Sequence, residues 1–264
     1  MELEAQIQTL ISYLEESRCT VFFGGAGVST ESGIPDFRSK DGLYNQHDVQ
    51  FEAYSPEYLL SHDCLVTHPK VFYEFYRQKL DTRTIEPNIT HYALAHLEEK
   101  GKLAGIITQN IDSLHQKAGS KTVYEIHGTT EKNYCGMCHT RYPSDYIFSS
   151  EEEIPRCPKC GGAVRPEVVL YQEGLPERVV EESISLIQKA ELLIVGGTSL
   201  TVYPAASYID FFQGKHLVVI NKGTLGRNLG RKADLVMTCG LGEVFSEVDR
   251  YFMNETNNLE NCRL

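Results

Sequence analysis

Nowhere does this chain of 264 residues hold an apolar run near the roughly 20 residues that a membrane-spanning helix requires. Its start, MELEAQIQTL, lacks the basic segment and continuous apolar core of a secretory signal. Both absences predict a globular protein of the reducing cytosol. No repeat architecture is present either. Positive charge is short: 25 Lys and Arg stand against 36 Asp and Glu, for a formal net charge of −11. That balance argues against a nucleic-acid backbone as the main partner, and it suits solubility or basic ligands such as lysine-rich peptides. What is present is ordinary for a folded protein, with 41% hydrophobic and 23% charged residues. The length suits one large domain, or one domain carrying a smaller insert.

Leu3, Ile7, Leu10, Ile11 and Leu14 recur at helical spacing and predict an amphipathic first helix ending near Arg18. Short apolar or β-branched runs follow at 19–24, 103–110, 122–128, 192–199, 216–223 and 233–239, each closed by polar or glycine residues. Runs of this kind, apolar on both faces, predict a parallel sheet. Helical patterns at 91–100, 176–190 and 242–253 separate several of them. The alternation predicts an α/β domain with a Rossmann-like, doubly wound parallel sheet. Two stretches break it. Residues 39–85 are rich in Tyr, Phe, His and Asp, and 129–166 carry four cysteines, three consecutive glutamates and four prolines. Both read as inserts that form a smaller lobe, one helical and one a zinc ribbon. The large lobe is then about 1–38, 86–128 and 167–264, and the whole of 1–264 is a single domain.

Cys135 and Cys138 form one C-x-x-C pair and Cys157 and Cys160 another, with 18 residues between them. Two knuckles at this spacing can bring four thiolates tetrahedrally onto one zinc ion. Two disulfides would need an oxidising compartment, and a single redox pair would leave the second knuckle unexplained. With all four positions filled by cysteine, the ion has no open position for water and is structural. His139 beside the first knuckle reads as a loop residue. Cys19, Cys64, Cys239 and Cys262 have no partner at motif spacing.

Gly24, Gly25 and Gly27 follow the first strand where backbone N–H groups and a helix N-terminus can receive a pyrophosphate. Alone the loop is a weak signal. Thr30 stands where a third fingerprint glycine belongs, and no acidic residue closes a second strand some 20 residues on. Four further polar strand ends make the case stronger: TQNID, EIHG, GGTS and INKG join the glycine loop at what would be the carboxyl edge of the sheet, where open α/β sheets bind ligands.

The segments GAGVSTESGIPDFR, TQNIDSLH, HG at 127–128, the two C-x-x-C pairs, GTSLTVYPAA and INKG, in this order over about 20–240, resemble those of the sirtuins, NAD-dependent protein-lysine deacylases. The chain is similar to a bacterial-type, single-domain member. The resemblance implies NAD as cofactor, one structural zinc, acetyl-lysine proteins or peptides as substrate, and transfer of the acetyl group to ADP-ribose with release of nicotinamide. It turns the segment after the glycine loop into a mobile cofactor-binding loop, with Ile34, Asp36, Phe37 and Arg38 around NAD rather than in a regular helix. Gly25, Ala26, Gly27, Ser29, Thr30, Gly197, Thr198, Ser199, Asn221, Lys222 and Gly223 contact phosphates, ribose or adenine by the same resemblance, and Cys239 borders the adenine. Gln109, Asn110, Ile111 and Asp112 hold the nicotinamide ribose, an ordered water and the carboxamide. Without the resemblance, Asn and Asp at a strand end are ordinary turn caps.

In that family the acyl oxygen attacks the anomeric carbon, so no protein nucleophile is needed, and the site must supply geometry, exclusion of water and one base. His127 is the candidate base, because imidazole titrates near neutral pH; by resemblance it activates the ribose after the alkylamidate intermediate has formed. Asn110 and Asp112 complete the catalytic set. His62, His68, His91, His96 and His115 read as surface or capping residues. RPEVVLYQEGLP resembles the family's substrate-binding strand, where an extended peptide adds through main-chain hydrogen bonds along Val168, Val169, Leu170, Tyr171, Gln172 and Glu173. Tyr171 and Gln172 depart from the usual Phe-Gly. Sirtuins that favour acidic acyl groups carry Tyr and Arg three positions apart in the small lobe. The run FYEFYRQK offers Tyr73 and Tyr76, with Arg77 one residue late, which predicts short neutral acyl groups. An NAD hydrolase, an ADP-ribosyltransferase on the same scaffold, and a non-catalytic NAD or zinc interaction module are the alternatives.

Overall fold

The computed structural model describes residues 2–37, 39, 42–45, 49–200, 202–223 and 232–261. In chain order the strands are β1 (Thr20–Gly24), β2 (Gly105–Thr108), β3 (Val123–Glu125), β4 (Gly128–Cys135), β5 (Arg141–Pro143), β6 (Val164–Val168), β7 (Leu192–Gly196), β8 (His216–Ile220) and β9 (Leu235–Met237). The helices are α1 (Leu3–Glu16), α2 (Pro56–Leu59), α3 (His62–Thr67), α4 (Pro69–Lys79), α5 (Ile89–Glu99), α6 (Leu114–Lys117), α7 (Asp145–Phe148), α8 (Glu177–Lys189) and α9 (Leu241–Asn261). Among the described residues no helix is long and apolar enough to cross a membrane.

Six strands make a parallel sheet in the order β3-β2-β1-β7-β8-β9. Every residue of β1, β2 and β7 is buried, as the continuous apolar runs predict. Strand alternation sorts their side chains. Phe22, Ile106, Ile194 and Val218 face α1, α5 and α9, meeting Leu10, Leu14, Leu94, Leu97 and Phe245. Val21, Phe23, Ile107 and Val195 face α8 and the 3₁₀ turn Ala205–Phe211, meeting Ile187, Ala206 and Ile209. Each fully buried Leu, Ile or Phe contributes about 1.5–3 kcal/mol of transfer free energy, so the two faces supply most of the driving force for this part of the fold. The chain leaves β1 toward β2 on one side, while β7 pairs on the other. The order reverses there, opening a crevice at the carboxyl ends.

A third apolar cluster stands apart from these two. It joins Leu59, Cys64, Phe72, Tyr73, Phe75 and Tyr76 to Cys135, Ile147, Cys157, Val164 and Leu170, so the helices α2–α4 pack on the antiparallel sheet β5-β4-β6. One expectation fails at β1. Two 3₁₀ turns, Ala26–Val28 and Thr30–Ser32, follow the strand in place of an α-helix, and Gly33 ends the second at φ +89°. Gly33 and the following Ile34-Pro35 carry the backbone out of helical conformation before a full turn can propagate.

Candidate functional site

The glycines after β1 are required by a second backbone. Gly27 N–H donates to Gly197 O at 2.8 Å and Gly25 N–H to Gly196 O at 3.2 Å, so the loops after β1 and β7 lie against each other. A Cβ on Gly27 would stand 2.7 Å from Gly197 Cα, and one on Gly197, which has φ +62°, 2.6 Å from Val28 N. No side chain fits at either position. These loops form the floor of a cleft with a volume of about 810 Å³.

The predicted NAD contacts largely converge on it. Ala26, Gly27 and Thr30 line it from the loop after β1, and Asp36 and Phe37 from the segment beyond. Gln109, Asn110 and Ile111 enter after β2, His127 between β3 and β4, and Gly197, Thr198 and Ser199 after β7. Asn221, Lys222 and Gly223 follow β8, and Cys239 follows β9. Ser29 and Asp112 are buried and do not line it, nor do Gly25 and Ile34, and Arg38 lies outside the described residues. Glu31, Tyr44, Leu60, Leu80, Gly240 and Leu241 also line the cleft and were not expected there. Tyr203 lines it too, from within the GTSLTVYPAA segment, which offered a signal for it.

His127 Nδ1 lies 2.8 Å from Gln109 O. A carbonyl only accepts, so Nδ1 carries a proton and, in the neutral ring, the lone pair is on Nε2. Behind the cleft wall, Asn110 Nδ2 donates to Ser29 Oγ at 2.9 Å and Ser29 Oγ donates to Asp112 Oδ2 at 2.7 Å. Leu114 N–H donates to Asp112 Oδ1 at 3.0 Å. Burial pushes the Asp112 carboxyl up, while the hydrogen bonds from Leu114 and Ser29 oppose it. Asp112 therefore orients Ser29 and Asn110 from beneath. Gln109 Nε2 donates to Thr198 Oγ1 at 3.1 Å, tying the loop after β2 to the loop after β7. Two of the histidines assigned to the surface or to caps are fully buried: His91 caps α5 from inside the core, and His115 packs against it with ring centroids 4.8 Å apart. His115 follows the polar QNIDS turn, and its burial comes from the distant Phe22, which sequence spacing does not reveal.

The four predicted cysteines form a second centre, their sulfurs all within 4.8 Å of one another. Cys135 Sγ is 3.4 Å from Cys160 Sγ and Cys138 Sγ 3.6 Å from Cys157 Sγ. Four thiolates about 2.3 Å from a tetrahedral zinc stand about 3.8 Å apart, so the set fits that ion. Tyr142 OH lies 2.9 Å from Cys157 Sγ, and the amides of Met137 and Cys138 point at Cys135 Sγ. These second contacts orient the sulfurs.

Residues 25–204 match the Sir2 family. The chain belongs to that family. It is 50% identical over 248 residues to an NAD-dependent protein deacetylase of Clostridium acetobutylicum, covering 94% of this chain and 100% of the relative. It is 53% identical over 247 residues to an NAD-dependent protein deacetylase of Cutibacterium acnes, covering 93% and 98%. A solved structure of Sir2 bound to acetylated peptide superposes with a TM-score of 0.80 at 37% identity, covering 95% of this chain and 98% of that one. A Sir2 complex with p53 peptide and NAD+ gives 0.80 at 38% identity, with the same coverage.

In this Sir2-family chain Val168–Glu173 line the wall opposite the glycine loops. Val169 N–H donates to His127 O at 2.9 Å, Tyr171 N–H to Leu60 O at 3.0 Å and His62 N–H to Tyr171 O at 3.0 Å. The segment is thus held between the His127 turn and the small helices. Gln172 occupies the usual glycine position with φ +76°, the left-handed conformation that glycine favours. Its amide pairs reciprocally with Asp63, accepting from Asp63 N–H at 3.0 Å and donating to Asp63 Oδ2 at 2.8 Å. That pairing offsets the backbone cost. Next to it, Glu173 receives Arg165 at 2.5 and 2.8 Å. Burial alone would raise the Glu173 carboxyl, but the Arg165 hydrogen bonds hold it at about 2. Tyr73 and Tyr76 are core residues, Tyr73 OH donating to Val164 O at 2.8 Å. Arg77 spends its guanidinium on Ile147 O at 2.9 Å and Glu152 O at 2.6 Å. None of the three lines the cleft.

Proposed function

We propose that this Sir2-family chain is an NAD-dependent protein-lysine deacetylase that passes the acetyl group of acetyl-lysine to ADP-ribose and releases nicotinamide and O-acetyl-ADP-ribose. The observation that carries the reading is the junction at His127. Its Nδ1–H is fixed on Gln109 O, and its own carbonyl accepts from Val169 in the peptide wall. One residue therefore places a basic nitrogen in the cleft and anchors the strand that would present the substrate.

NAD supplies the electrophilic anomeric carbon and the leaving group. The glycine loops suit its pyrophosphate, because Gly27 and Gly197 pack backbone on backbone with no room for a side chain and both line the cleft. His127 Nε2 takes the proton from the ribose hydroxyl that attacks the acyl carbon. Asn110, oriented by Ser29 and Asp112, positions the ribose and the carboxamide, and Phe37 and Ile111 exclude water. Zinc clamps the β4–β6 insert and takes no part in the chemistry. The chain reads as one catalytic domain, with a large lobe of about 1–38, 86–128 and 167–264 and a small lobe of about 39–85 and 129–166. We place it in the cytoplasm, where four thiols serve a metal rather than disulfides.

The test is stoichiometry. Zinc-loaded protein given NAD and an acetyl-lysine peptide should yield one nicotinamide and one O-acetyl-ADP-ribose per lysine released. Free ADP-ribose formed without lysine deacetylation would make the chain a hydrolase and overturn the reading.

A further inference from the structure

Three charged side chains converge on Gly240, between β9 and α9. A Cβ there would stand 2.9 Å from Glu31 Oε1, 2.9 Å from Lys222 Cε and 3.0 Å from Glu243 Oε1. Glu31 Oε2 accepts from Gly242 N–H at 2.9 Å, and Glu243 Oε1 accepts from Gly240 N–H at 3.1 Å. Lys222 Nζ lies 3.6 Å from Glu31 Oε1. The open amides at the start of α9 would otherwise attract an anion. Here they are taken by two carboxylates of the chain itself, and the nearby ammonium is paired with one of them.

The location along the cleft gives this cluster its meaning. If NAD binds as proposed above, the reacting ribose lies beside His127 and the peptide wall, and the pyrophosphate lies over the glycine loops. The adenosine half is then left with the ends of β8 and β9, where Glu31, Asn221, Lys222, Gly240 and Leu241 line the cleft. NAD and NADP differ only in this half. The 2′-phosphate of NADP adds a charge of about −1.5 to −2 at neutral pH, as other phosphomonoesters do.

We propose that Glu31 is a specificity-determining residue that selects NAD against NADP, by accepting from the α9 amide of Gly242 and pairing with Lys222. Among the described residues, two carboxylates and one ammonium leave this end of the cleft net negative. A ribose diol can donate hydrogen bonds to Glu31, whereas a phosphate meets its charge and finds Lys222 already engaged. Glu31 comes from the loop after β1, and the usual acid of dinucleotide folds closes a second strand. The discrimination is the same, supplied from a different element.

The test needs no turnover. Zinc-loaded protein is titrated calorimetrically with ADP-ribose and with its 2′-phosphorylated analogue at low ionic strength. Wild type should prefer ADP-ribose. Glu31→Gln keeps an oxygen for Gly242 N–H but removes the charge and releases Lys222. It should raise the relative affinity for the phosphorylated ligand about three- to thirtyfold, the span expected when a like-charge contact becomes an exposed ion pair. The gain should shrink with added salt, and adding Lys222→Gln should return most of it. A ratio in Glu31→Gln within roughly twofold of wild type overturns the inference. Wild type that binds neither ligand is a different result: it removes the NAD reading itself, and this inference with it.

Discussion

His127 Nδ1 is bonded to the Gln109 carbonyl, which fixes the tautomer of the neutral ring and turns Nε2 into its basic atom. His127→Ala should therefore keep ADP-ribose affinity within a few-fold and lose about 10²- to 10⁴-fold in deacetylation rate; parallel calorimetry and peptide kinetics check both halves. Acyl choice belongs to this scale as well. Arg77 is committed to two backbone carbonyls, and Leu60 and Leu80 line the cleft in its place. Acetyl-lysine peptide should give higher kcat/KM than a matched succinyl-lysine peptide, because among the described residues no guanidinium lines the cleft to receive the free carboxylate of the succinyl group. Higher kcat/KM for succinyl would show that another cation reaches the pocket. Most of these side chains were legible in the sequence because the chemistry sits in short motifs at strand ends. Glu31 was not, since its partners Gly242 and Lys222 are remote in sequence and only the closed sheet brings them together.

At the scale of elements, the phosphate loop is fastened by α5. Asn88 caps that helix with its oxygen on Thr90 N–H at 2.9 Å, while its Nδ2 donates to Val28 O at 2.8 Å and Ser32 Oγ at 2.9 Å. The backbone N–H of Asn88 in turn donates to His91 Nδ1 at 3.2 Å. His91 must therefore stay neutral at Nδ1, and burial pushes it down to about 4. Burial, with His91 as neighbour, lowers His115 well below the ordinary histidine range. The unfolded chain takes up these protons below about pH 6.5 and the folded chain does not, so their contribution to stability is full above pH 6.5 and is lost as pH falls toward 4. Each histidine steepens the loss by up to about 1.4 kcal/mol per pH unit. Urea midpoints of wild type and His115→Leu, measured between pH 7 and 4.5, should diverge in slope; parallel slopes would deny the buried pair its part. The six strands of the parallel sheet were legible as short continuous apolar runs, and the helices α1, α5, α8 and α9 by their period of 3.6. The 3₁₀ turns after β1 were not. Their shape comes from Gly33-Ile34-Pro35 and from the Gly27–Gly197 contact, which override local helical preference.

At the scale of the molecule, the zinc cysteines are part of a hydrophobic core: Cys135 and Cys157 belong to the same cluster as Phe72 and Tyr76. Metal binding and folding of that lobe should therefore be one event. We expect one zinc per chain, and Cys157→Ser should lower the melting temperature and deacetylation together; active protein free of zinc by metal analysis would contradict this. The core also has an order of assembly in time. Two neighbours flank β1: β2, with Val21 beside Gly105, and β7, with Thr20 beside Leu192. A ribosome adding about 5–20 residues per second delivers the second partner roughly ten to thirty seconds after the first strand emerges. Throughout that interval Thr20–Gly24 presents an apolar, unpaired edge, the kind of surface from which strands of separate chains join. Yield in the cell should therefore depend on what shields five residues near the start of the nascent chain, an exposure that begins before the zinc cysteines are made and outlasts their synthesis.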